Sequence, residues 1–143
     1  MRALALVLCL LVALVAEKSW GSEAETGGKI PSSVAEYDPE QGFRLTEPAI
    51  KRLGIRFEML KGTEPWILPK TALVNVKRSI GVYRRSNGFV TLVLVEPSKS
   101  DQSTTSIKSE DLTAGDEVSV GGAAFLRVVD LDLSGGGGDS CAE

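Results

Sequence analysis

Apolar and charged side chains begin to alternate at Ile55, where Ile55, Phe57 and Met59 are interleaved with Arg56 and Glu58. That period of two marks a strand with one buried face, and it predicts a strand over residues 55–61. Trp66 to Leu68 and Ala72 to Val76 read as one strand interrupted by Pro69, whose missing N–H restricts it to an edge or a bulge. Two further apolar runs, Ile80 to Arg85 and Phe89 to Glu96, flank Ser86-Asn87-Gly88. An Asn-Gly pair accepts the positive φ angles of a tight turn, so these runs form a hairpin. Short strands are expected at 105–108 and 117–120, separated by a turn over 111–115. Ser98 to Ser106 is polar and reads as a loop. The apolar run Ala123 to Leu133 is expected to be a final strand or a short helical turn packed across the sheet.

One helix is predicted before the strands. Thr46 suits an N-cap, Glu47 and Pro48 suit a first turn, Ile50 and Leu53 share a face, and Gly54 suits a left-handed stop. Counted together, the elements predict a mainly β domain over residues 42–133: a small antiparallel β roll or barrel of six or seven strands with one short helix.

The ends of the chain read differently. MRALALVLCLLVALVA carries one Arg and then an apolar run shorter than a bilayer span, the build of a secretory signal peptide. Ser19 and Gly21 supply the small residues a signal peptidase requires, which places the cut after Gly21 and the segment 1–21 in the signal. Leu8 before Cys9 is too large for a lipobox, so an unlipidated, exported protein is expected. Residues 22–41, rich in Ser, Glu, Gly and Pro, are expected to form a disordered leader, and Ser134 to Glu143 a flexible Gly-rich tail.

Composition narrows the chemistry. In 143 residues there is no histidine, which removes Ser-His-Asp and Cys-His arrangements and the commonest metal ligand. A net charge of −3 makes a poor nucleic-acid binder. Asp130 and Asp132 are the tightest carboxylate pair, with the spacing of two residues on one solvated strand face. Gly121-Gly122 and Gly135 to Gly138 lack the Gly-x-x-x-x-Gly-Lys spacing of a phosphate loop. Cys141 with Asp139 offers a single thiolate and a single carboxylate. No enzyme, cofactor or metal site is expected from these residues.

Two stretches carry a resemblance. Pro69, Ala72, Leu73, Val74, Val82, Tyr83, Leu112, Gly115, Asp116, Val118 and Gly122 fall in order on a proline-led Pro-x-x-Ala-Leu-Val strand, a Val-Tyr strand, a hairpin and a closing Gly-Asp-x-Val turn. This resembles the last, membrane-proximal domain of the periplasmic adaptor subunits, or membrane fusion proteins, of RND-type efflux pumps; Asp111 and Ser119 depart from the pattern. Upstream, GFRLTEPAIKRLGIRFEMLKG is similar to the segment that opens the same domain. In that family a barrel, a lipoyl-like domain and a helical hairpin separate the two pieces, whereas here only a few residues around Thr63 do. The resemblance implies a non-catalytic module in the periplasm, at the outer face of the inner membrane. Its partners would be an RND-type transporter, a full-length adaptor or copies of itself.

Lys77, Arg78, Arg84 and Arg85 form the dense basic cluster of the domain and are the candidate docking residues, with Trp66 beside Pro65 as a candidate docking aromatic. The same cations also suit solvated strand ends that keep an edge from pairing, and the indole also suits a small core. Two other readings stand beside the adaptor: a free-standing periplasmic module for a small ligand or metal ion, and a remnant of an adaptor gene.

Overall fold

The structure, a computed structural model, describes residues 32–135, and over these the chain is mainly β, with nine strands joined only by antiparallel pairings and two helices. In chain order they are β1 (Val34–Asp38), β2 (Gly42–Leu45), α1 (Glu47–Arg52), β3 (Arg56–Met59), β4 (Trp66–Pro69), a 3-10 turn (Lys70–Ala72), β5 (Val74–Val76), β6 (Ser79–Ser86), β7 (Phe89–Ser100), β8 (Thr104–Lys108), β9 (Glu117–Gly121) and α2 (Ala123–Leu133). The expected signal segment 1–21, residues 22–31 and residues 136–143 with Cys141 lie outside the described residues.

The hairpin β6–β7 is the spine. Asn87 (φ 52°) and Gly88 (φ 83°) make the two-residue turn, and an unbroken register runs from Ser86 opposite Phe89 to Ile80 opposite Val95. Consecutive residues Val82 and Tyr83 are both fully buried, so this strand is covered on both faces. Val82 joins a core with Val93, Val95, Val118, Trp66, Leu68 and Ile107, and Tyr83 joins a second one with Phe43, Leu45, Val90 and Leu126. Alternation at period two thus feeds two cores from one strand.

The sheet runs β1-β2-β7-β6-β9-β3, and β5 shares with β9 the edge of β6. β7 then passes its last residues to β8, which pairs with β4. β3 and β4 do not pair, so of the expected roll or barrel the sheet is an open roll that does not close.

Several expectations are corrected. Residues 34–38, expected in the disordered leader, form β1 against β2; three of its five side chains are exposed, and a one-sided edge strand leaves no apolar period to read. Asp38 closes this hairpin by accepting the N–H groups of Glu40 (2.8 Å) and Gln41 (2.9 Å), and these backbone bonds hold its carboxyl below the usual value. The polar run 98–106 is likewise a hairpin between β7 and β8, turned by Asp101, which accepts from Ser103 and Thr104.

The run 123–133 is a helix of eleven residues, so there are two helices where one was expected. Gly122 starts it at φ 77°, where an added Cβ would meet Ile55 at 2.8 Å; only glycine fits. α2 covers the second core with Ala123 and Leu126, and the Tyr83 hydroxyl ties it down by donating to Asp130 at 2.9 Å. On a helix, residues two apart diverge, so half-buried Asp130 and exposed Asp132 do not share a face. α1 matches its expected limits and ends as a Schellman motif, with Ile55 N–H donating to Ile50 O and Gly54 N–H to Lys51 O. Thr46, however, makes no side-chain cap bond.

Candidate functional site

The four candidate cations do not form one cluster. Lys77 and Arg78 are the exposed turn between β5 and β6, next to the paired residues Val76 and Ser79. Arg84 and Arg85 lie near the other end of β6, roughly 20 Å away at the rise of an extended strand. Sequence separation of six or seven residues looks short only until the segment is extended.

The two pairs also differ in what they touch. Lys77 and Arg78 form no ion pair among the described residues. Arg84 and Arg85 are half-buried and turn to opposite faces of β6. Arg84 donates to the carbonyl of Asp111 at 2.8 Å and lies 3.9 Å from the carboxylate of Asp116, which holds the loop before β9. Arg85 grips Glu117 in β9 with two bonds, from Nε to Oε2 at 2.8 Å and from the terminal nitrogen to Oε1 at 3.1 Å. Its guanidinium also lies 4.3 Å over the ring of Phe57 in β3. One side chain thereby joins three strands.

That joint matters because β6 and β9 pair at two positions only, Arg84 opposite Val118 and Arg85 opposite Glu117. The Arg85 hydrogen bonds hold the Glu117 carboxyl below its usual range, outweighing the smaller effect of burial. Arg44, which the sequence reading passed over, is used the same way. It lies 4.5 Å over Phe89, bonds to the carbonyl of Asn87 at 3.1 Å and pairs with Glu36 at 3.4 Å.

Trp66 is buried among Leu60, Leu68, Ile107 and Leu112. It is core, the second of the two places its sequence allowed, beside that of a docking aromatic. Its indole N–H has no hydrogen-bond partner among the described residues.

Trp66 also lines a cleft of about 630 Å³ between Glu58 to Lys61 at the end of β3 and Pro65 to Leu68 of β4, floored by Val118. The sequence reading missed this cleft. Its signal was the pair of prolines, Pro65 and Pro69, bracketing a three-residue strand that no neighbour on that side needs as a donor. Exposed Met59 and Ile67 mark the two rims.

Other candidate chemistry gains no partners. Among the described residues, no three His, Cys, Asp or Glu side chains gather where a metal ion would be held, and no helix is long and apolar enough to cross a membrane. Asp130 is engaged by Tyr83 and by Arg127 at 2.9 Å. Comparisons with protein-family models, with curated proteins and with solved structures find no match to this chain.

Proposed function

We propose that this chain is a non-catalytic, adaptor-like docking module that works in the periplasm beside an RND-type efflux transporter or a full-length adaptor. One observation carries the reading: the residues that bear the resemblance are the ones that build the β unit. Ala72, Val82, Tyr83, Leu112 and Val118 are buried, and Gly115 and Gly122 occupy the positive φ their turns require. Asp116 closes the turn before β9 by accepting the N–H of Thr113 at 2.8 Å.

The upstream segment supports the same reading. It supplies β2, α1 and β3 to the sheet that contains β6 and β9, and residues 60–65 alone carry the chain from β3 to β4. The two pieces that resemble one adaptor domain therefore meet in one fold. Such a module offers binding area and register, and no chemical step is asked of it. Of the four candidate cations, Lys77 and Arg78 on their exposed turn are the pair left free for an acidic partner.

The test is cross-linking in the producing cell followed by affinity capture of the exported protein from its membranes. Recovery of an RND-type transporter or an adaptor supports the reading. Capture of the protein by itself, under cross-linking that joins other periplasmic complexes, contradicts it.

A further inference from the structure

The open side of the roll has a defined hydrogen-bonding chemistry. In an antiparallel ladder, alternate residues turn both backbone groups toward the partner strand and the others turn them away. Leu60 N–H donates to Asp116 O at 2.8 Å, so Glu58, opposite Val118, also faces β9. Phe57 and Met59 therefore turn N–H and C=O to the open edge. On β4, Lys70 N–H donates to Ser103 O at 2.9 Å, which sets Trp66 and Leu68 toward β8. Ile67 turns N–H and C=O outward, together with the carbonyls of Pro65 and Pro69.

Both walls of the cleft are thus unpaired strand edges, one on each side of the same gap. They are not paired with each other. β4 offers a single outward donor, Ile67, because both prolines have none, so any strand laid against it keeps its carbonyls opposite Pro65 and Pro69 in solvent. A third strand lying between them would satisfy both walls: its N–H groups would reach the surplus carbonyls of β4, and its other groups the full ladder positions of β3.

We propose that the β3–β4 cleft is a strand-addition site that takes an extended segment of another polypeptide and closes the roll. Side-chain preferences follow from the faces. Outward residues of the segment would pack between Met59 (58% exposed) and Ile67 (69% exposed), which favours apolar ones there. Inward residues would meet Trp66 and Glu58 on the face of Val118.

With the expected signal 1–21 removed, the remaining flanks do not supply such a strand. SEAETGGKIP precedes the described residues and GGGDSCAE follows them, neither with a run of β-branched or aromatic residues. The described chain also starts at β1, the opposite end of the strand order from β3. That far edge is protected in the usual manner, by a bulge between Val34 and Glu36 and by acidic side chains, while the cleft rims present Met59 and Ile67. This inference stands independently of whether the partner belongs to an efflux pump.

The test selects random peptides displayed on phage against the full exported chain, then measures the selected peptides in synthetic form with and without N-methylation at alternate backbone positions. The expected result is a set of alternating, outward-apolar sequences whose binding slows amide exchange at Phe57, Met59 and Ile67 and is lost on N-methylation. A Met59→Pro, Ile67→Pro double variant removes two of the three outward donors, leaving that of Phe57, without touching the β8 and β9 ladders. It should melt like the parent and bind at least about tenfold more weakly. Failure to select any peptide, equal binding by the N-methylated forms, or protection of the same amides by self-association alone would overturn the proposal. If the double variant does not fold, the N-methylated peptides and the exchange pattern still decide.

Discussion

The two ends of β6 carry the same charge and do different things with it. At its start, Lys77 and Arg78 stand in solvent without an ion pair among the described residues. Near its end, Arg84 and Arg85 are spent on the loop before β9, on Glu117 and on the ring of Phe57. A surface that must recognise a partner has to keep its groups free, and a joint between strands has to use them. The difference teaches that charge density in sequence does not locate a docking site. The fold adds which of those charges are already engaged.

The largest effect expected from this division lies at Trp66, which falls on the structural side. Trp66→Ala should cost about 3–5 kcal/mol of stability, the usual range for emptying an aromatic core site. Trp66→Phe should cost far less, because it keeps most of the bulk and removes a buried N–H that has no partner. Denaturant unfolding of both variants checks this. A Trp66→Ala protein as stable as the parent would return the indole to the surface.

Arg85 comes next. Arg85→Ala should cost about 1–2 kcal/mol, more than an ordinary exposed pair, since it removes a two-bond grip on Glu117 and the contact with Phe57 together. The pH dependence has a definite sign. Arg85 holds the folded-state pKa of Glu117 below its unfolded value, so the pair contributes fully above the ordinary carboxylate range and is lost as pH falls through the folded value. The stability gap between parent and Arg85→Ala should therefore narrow between pH 7 and pH 3, read from denaturant midpoints. A constant gap would leave only packing on Phe57 as the role of Arg85.

The smallest effect belongs to the free end. Lys77 sits at φ 55°, which costs a side-chain-bearing residue about 1–2 kcal/mol. Lys77→Gly should thus stabilise the fold by up to about 1 kcal/mol after the entropy cost of glycine is deducted. A stabilised but weaker-docking variant is what a strained, exposed recognition turn predicts.

Much of this architecture was legible from residue patterns, and the misses share a cause. The Asn87-Gly88 hairpin announced itself by its turn residues and α1 by its glycine stop, while the alternation that marked β3 holds for buried Ile55 and half-buried Phe57 but not for Met59, which is exposed while Leu60 is buried. β1 and the last residues of β7 were unreadable because their exposed side chains carry no apolar period. α2 was hidden by excess. Its outer face exposes Phe125, Val128 and Leu131 while Ala123 and Leu126 are buried, and an apolar run on both sides has no period to distinguish helix from strand. Arg84 and Arg85 could be placed on one strand from sequence, but Glu117 as their neighbour depends on β9 returning across the sheet, a pairing more than 30 residues away in the chain.

The central claim is that this module docks through the basic turn that the fold leaves free. Its most direct test is partner capture from cross-linked membranes with the parent and with a Lys77→Glu, Arg78→Glu variant, each first shown to unfold at the same denaturant concentration. The account predicts that the parent recovers a transporter or an adaptor, and that the charge-reversed turn loses most of that recovery because like charges now meet across the interface. Equal recovery by the two proteins would contradict it.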